Sequence, residues 1–210
     1  MNPAELGLAS TLPSDAFSGT VNYAMTDGMI TIADLADPLQ PQLLGTVALP
    51  GITGVKVAND HLYATSSTAL SVYGLADPAH PSLLTTVPLA GQATINQAFS
   101  FGYVWANTEA GLVTIDVDPP ESAKVIGTAP VPLMGSGLPP NESSRDGRYL
   151  VLSTVRPDGR INRTIWDLSN PASPVSSLVT AVAPDEQTVE QIDDRFIYLT
   201  NRDGIYVSGP

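Results

Sequence analysis

Apolar and polar residues alternate in short bursts along this chain. "MITIADL" (29–35), "ALSVYGL" (69–75), "GLVTIDV" (111–117) and "NRTIWDL" (162–168) are four such bursts. A period of two puts successive side chains on opposite faces of a strand. The runs are about 5–8 residues long, rich in Val, Ile, Thr and Tyr, and bounded by Gly, Asn, Asp and Pro, which is strand chemistry. No segment keeps a 3.6-residue period over the ~11–18 residues that an amphipathic helix needs. The pattern predicts an all-β chain.

The bursts recur in a fixed order. "LADPLQP", "LADPAHP", "VDPPESA" and "LSNPASP" align on Pro38, Pro78, Pro119 and Pro171, and a fainter copy opens the chain at Pro3. Each is followed by one more strand-like run, such as "QLLGTVAL" or "SLLTTVPL", and preceded by a run that usually carries Tyr, such as "HLYATSS" or "RYLVLST". A fourth run, such as "GVKVAN" or "TVEQID", comes ahead of these. Four strands in about 40 residues is the content of one β-propeller blade. With strands named A to D in order, the second blade has A near 54–58, B near 61–66, C near 70–75 and D near 82–89. The Asp-Pro phrase is then the C–D turn. Asp or Asn there can accept a nearby backbone N–H, and Pro fixes φ, so the repetition is structural rather than catalytic.

The ends complement each other. Residues 5–12, "ELGLASTL", read as a D strand with no A, B or C before it, whereas 187–209 read as A, B and C with no D after them. The expectation is one domain over 1–210: five four-stranded blades, with the ring closed by the N-terminal strand pairing with the last blade. Closure removes exposed sheet edges. A fragment of a six- or seven-bladed ring is the rival count.

The stretch "GVKVANDHLYATSSTALSVYGLADPAHPSLLTTV" resembles the LVIVD repeat of bacterial and archaeal β-propeller proteins. The likeness lies in its Tyr-bearing strand, its hairpin, and its Asp-Pro-x-x-Pro turn. It weakens at "DVDPPESAK", where the second proline is out of place. The resemblance implies a propeller in proteins often exported or surface-attached, hence an extracellular or cell-surface location. It transfers no catalytic motif.

Charge and composition narrow the partners. A net charge of −12 with two lysines, Lys56 and Lys124, disfavours nucleic acid and anionic lipid. No apolar run approaches the ~18 residues of a membrane span, and residues 1–10 show neither the basic nor the apolar region of a signal peptide. With no cysteine, thiol catalysis and zinc–thiolate sites are excluded. His61 and His80 fall in separate turns and support neither a triad nor a metal site.

In a propeller the D–A and B–C loops share one face, and the A–B and C–D loops share the other. The C–D turns here are near-copies, so binding residues are expected on the other face. The fourth blade is the most irregular, with the long loop "VPLMGSGLPPNESS" and hairpin "TVRPDGRINR". Five of the nine basic residues lie in it: Arg145, Arg148, Arg156, Arg160 and Arg163. Arginine forks can hold an anion bidentately; a solvated hairpin neutralised by Asp146, Asp158 and Glu142 is the plainer reading. The candidate ligand-binding set is Asn107, Glu109, Asn141, Glu142, Arg156, Asp158, Arg160 and Arg163. No cofactor is required. Asp27, Asn107, Glu109, Asn201, Arg202 and Asp203 are expected in B–C hairpins on the same face, where a ring of oxygen groups could take a calcium ion, although Asn, Asp and Gly also simply form turns. Trp105 and Trp166 are expected to pack between blades.

The expected function is a monomeric, non-catalytic module that binds a protein or carbohydrate. One alternative is a glycoside-hydrolase-like enzyme with carboxylates such as Asp15, Glu142 or Glu190 at a channel mouth. The other is a structural spacer within a longer surface protein.

Overall fold

The structure is a computed structural model. It describes the backbone of residues 16–26, 28–90, 93–100, 102–108, 110–130, 148–155, 161–182, 189–192, 197–201 and 204–208. Side chains are described for 16–25, 28–90, 102–108, 110–130, 148–152 and 164–176. Every strand among these residues pairs antiparallel with its neighbour in sequence wherever a register is defined.

Five sheets result. The first holds β1 (Ala16–Ser18), β2 (Val21–Thr26), β3 (Met29–Asp34) and β4 (Gln42–Ala48). The second holds β5 (Ile52–Ala58), β6 (His61–Ser66), β7 (Ala69–Gly74) and β8 (Ser82–Pro88). The third holds β9 (Ala93–Ser100), β10 (Tyr103–Thr108), β11 (Gly111–Asp116) and β12 (Lys124–Ala129). The fourth shows β13 (Tyr149–Val155), β14 (Ile161–Asp167) and β15 (Val175–Val182); the fifth shows β16 (Val189–Ile192), β17 (Ile197–Asn201) and β18 (Gly204–Ser208). The all-β expectation holds, and the four strands expected around Pro78 lie where the alternation put them. The proposed closing strand, 5–12, lies outside the described residues.

The chain divides into two compact units: Met1–Ile95 with Val117–Lys124, and Asn96–Asp116 with Val125–Pro210. In the first, the core seam lies between the first two sheets. Tyr23, Ile30 and Ile32 pack with Val55, Leu62, Ala64, Tyr73 and Leu75. Register explains the selection: Tyr23 faces Ile32, and Leu62 faces Tyr73, so each set shares one sheet face. In the second unit, Trp105 and Leu112 pack with Leu150, Leu152, Trp166 and Leu168. This is the inter-sheet packing expected for both tryptophans, and neither ring is available to a ligand. Their relative exposures are only 2% and 1%.

The Asp-Pro phrases are four-residue turns. The N–H groups of Gln40, His80 and Ser173 donate to the carbonyls of Asp37, Asp77 and Asn170. The third turn is shifted by one residue from its expected alignment. Ser122 N–H reaches Pro119 O, so Pro120, at the start of a short 3-10 turn (Pro120–Ser122), takes the place of Pro38 and Pro78. The out-of-register proline in "DPPESA" is thereby accounted for.

Candidate functional site

Each described sheet has a turn end, built by the A–B and C–D connections, and a hairpin end. The turn end is held by repeated bonds to the protein's own backbone. Leu35, Leu75 and Leu168 N–H donate to the carbonyls of Thr20, Asp60 and Arg148. Asp37 Oδ1 accepts from Leu39 N–H and Asp77 Oδ1 from Ala79 N–H, both at 3.0 Å. Asp34 and Asp167 do the same for Ala36 and Ser169, both at 2.9 Å. Short carboxylates that satisfy turn amides are structural groups.

The turns at Pro78, Pro120 and Pro171 also reach the preceding sheet. Tyr23 Oη donates to Pro78 O at 2.8 Å. A Cβ placed on Gly45 would sit 3.8 Å from Ala79 O, and one on Gly127 only 2.3 Å from Ala172 O. The outer strand β8 likewise packs on the Pro120–Ser122 turn. Burial and the nearby Asp77 charge push the Tyr23 phenol up to about 12. Burial and Asp118 do the same to Tyr63, also to about 12.

Charge pairs here are local and exposed. His80 Nδ1 lies 2.9 Å from Asp77 Oδ2, and this contact, with the Ala79 N–H bond, holds the Asp77 carboxyl below its usual range. Burial works against ionisation of Asp167. The Ser169 hydroxyl and N–H, together with Arg148, outweigh it, and the carboxyl sits lower than usual. Arg148 Nε donates to Ser169 Oγ at 2.8 Å, and the guanidinium lies 5.1 Å from the centre of the Tyr149 ring.

The hairpin end was expected to carry the site. Glu109, Asn141, Glu142, Arg156, Asp158 and Arg160 lie outside the described residues. Arg163 is the third residue of β14, opposite Ser153 and beside a register shift between Arg163 and Thr164. Asn107 belongs inside strand β10 rather than in the hairpin: it pairs with Leu112 and is 6% exposed. The strand runs on because Gly111, at φ +129°, closes a tight connection that the Thr108 hydroxyl braces by donating to Gly111 O at 3.0 Å. Arg148 stands at the turn end. The seven-residue strand β13 separates it from the Arg156–Arg160 loop, a span of about 20 Å at ~3.3 Å per residue. Of the five basic residues of this blade, only Arg148 has a described side chain, and Arg145, Arg156 and Arg160 lie outside the described residues. Of the acids considered for hydrolysis, Asp15 and Glu142 lie outside the described residues, and Glu190 pairs with Leu199 in β16. Among the described residues no group of three or more His, Asp or Glu is placed to hold a metal ion.

Lys56 was not singled out by sequence. It lies in β5 opposite Tyr63, and burial pulls its ammonium below the usual lysine range. The only signal for it was position: one of two lysines, placed in an alternating strand.

No protein-family model matches the chain, and no curated protein matches it by sequence. Solved structures do share its fold. The β-propeller domain of Cps50 (Swd1) from Myceliophteria thermophila matches with a TM-score of 0.58 and 15% identity, over 94% of this chain and 69% of that one. A candidate 6-phosphogluconolactonase from Bacteroides fragilis matches with a TM-score of 0.65 and 14% identity, over 93% and 65%. BamB from Moraxella catarrhalis matches with a TM-score of 0.61 and 14% identity, over 93% and 60%. The chain thus spans about two thirds of the length of these structures. At this identity the likeness establishes the fold, which is that of a β-propeller.

Proposed function

We propose that this chain is a non-catalytic binding module, a five-bladed propeller of the LVIVD-repeat kind that works outside the cell or at its surface. Its ligand is an acidic carbohydrate or an acidic stretch of protein, taken at the hairpin end of the fourth sheet by Arg156, Arg160 and Arg163. The observation that carries this reading is the fate of the Asp-Pro turns. The carboxylates of Asp37 and Asp77 serve neighbouring backbone amides, as do those of Asp34 and Asp167 at the strand ends that lead into the turns. That leaves the irregular loops of the opposite end as the place for recognition. The fourth sheet has the longest of these loops. Residues 5–12 supply the outer strand of the fifth sheet in this reading.

The first experiment is a thermal-shift screen of the intact chain against calcium, neutral oligosaccharides and acidic oligosaccharides. A native-state ligand at ~100 times its dissociation constant adds about 2.7 kcal/mol of stability. The expected result is a shift with the acidic class that disappears in Arg156→Ala/Arg160→Ala, whose own folding is unchanged. A shift that survives the double substitution rules out that hairpin. No shift across the panel favours a structural spacer.

A hydrolase is the second reading, and the fold shared with the Bacteroides fragilis protein favours it. Turnover of 6-phosphogluconolactone or of a glycoside by the purified chain would replace the binding-module reading.

A further inference from the structure

The seam between the third and fourth sheets departs from the repeat in a consistent direction. The third residue of the second strand is Tyr23 in the first sheet, Tyr63 in the second and Trp105 in the third. The tyrosine of the first sheet extends its hydroxyl to a turn carbonyl of the next sheet. The indole of Trp105 ends short of any acceptor: its Nε1 is buried with no hydrogen-bond partner among the described residues. The residue paired with this position is Ile32 in the first sheet, Val72 in the second and Ile165 in the fourth, but Thr114 in the third. Thr114 Oγ1 is likewise buried and has no partner among the described residues. Trp166, which occupies on the facing sheet the place of Tyr73, belongs to the same packed cluster as Trp105, and its Nε1 is a third such atom.

Two indole donors and one hydroxyl are thus concentrated in one apolar seam. Burying even one such group without a partner is strongly disfavoured, and internal water is the usual partner when protein atoms do not supply one. Two indoles cannot satisfy each other, because Nε1–H only donates. Each needs an acceptor, as a water oxygen is, and the Thr114 hydroxyl can donate to such a water or accept from it.

We propose that this seam holds ordered internal water, bound by the Trp105 and Trp166 indole N–H groups and the Thr114 hydroxyl. The site is a fixed hydration point inside the sheet packing, and it distinguishes this seam from the first, where Tyr23 meets its partner directly.

The chain has only two tryptophans, so its two indole N–H resonances can be assigned by Trp105→Phe and Trp166→Phe, or sequentially if either variant fails to fold. The test is water-selective NOE and rotating-frame NOE spectroscopy on the intact, unsubstituted protein, repeated in Thr114→Val. The expected result is a cross-peak between each indole proton and water, with the sign of a long-lived bound water, that is weaker in Thr114→Val because one of the groups holding the water is gone. A missing cross-peak at either indole overturns the proposal. A peak whose build-up lags that of a direct contact also does so, since it then arises by relay through the hydroxyl.

Discussion

Tyr23 donates its hydroxyl to the carbonyl of Pro78 at 2.8 Å, across 55 residues of chain. A side chain of the second strand in one sheet thereby caps the Asp-Pro turn of the next. Tyr23→Phe keeps the ring and leaves the carbonyl unpaired. We expect a loss of about 1 kcal/mol in urea unfolding; unchanged stability would mean that the bond adds nothing.

The same hydroxyl sets an alkaline signature. Burial favours the neutral phenol in the folded state and raises it from 10.0 to about 12. Stability from this group is therefore complete below pH 10 and is lost as pH rises towards 12. Wild type should weaken across that window more steeply than Tyr23→Phe. Parallel pH profiles of the two would contradict the burial argument.

On the acid side the sign reverses. Asp167 is held below the ordinary carboxylate range by Ser169 and Arg148 against the pull of burial. Its contribution is present above about pH 4, the unfolded value, and fades as pH falls below it. Asp167→Asn should be less stable than wild type at pH 7, with the gap closing below pH 4. The effect is small, because the pair is largely exposed. A gap that persists at pH 2 would assign it to lost packing instead.

Two glycines at matching strand positions should respond differently to alanine. Gly127→Ala would drive a methyl to 2.3 Å from Ala172 O, whereas Gly45→Ala meets its nearest atom at 3.8 Å. Expected losses are about 2–4 kcal/mol for the first and under ~0.5 kcal/mol for the second. Equal losses in thermal melts would show that the close approach at Gly127 relaxes without cost.

Lys56→Met should stabilise the protein at pH 7, because burial disfavours the ammonium. With its folded value lowered, wild type gains stability as pH rises towards the ordinary lysine range, so the difference should shrink there. If the variant is instead weaker at pH 7, Lys56 has a partner that stabilises its charge.

Much of the fold could be read from the chain because its signals are local. The strands around Pro78 were expected near 54–58, 61–66, 70–75 and 82–89, and lie at Ile52–Ala58, His61–Ser66, Ala69–Gly74 and Ser82–Pro88. Period-two alternation and turn prolines suffice for that. Local signals fail where two solutions are one residue apart. "DPPESA" offers two prolines, and the turn uses Pro120. Asn107 looks like a hairpin residue, yet the pairing with Leu112 carries the strand past it. Arg148 illustrates a different limit: composition groups it with the other arginines of its blade, while its own contacts, to Ser169 and the Tyr149 ring, place it at the turn end. The orphan donors of Trp105 and Trp166 depend on what faces them, which no single strand encodes.

The turn contacts point one way along the chain. In both units, the turn of a later sheet closes on the sheet before it: Pro78 and Ala79 on the first, the Pro120 turn on the second, Ala172 on the third. During synthesis, each finished sheet would then await its clasp until roughly another repeat of chain has emerged. Of these three sheets, the most recently made is the least secured. A ribosome that stalls within this stretch leaves one unclasped sheet at the growing end, and that sheet is where a protease or chaperone would find the unfinished chain.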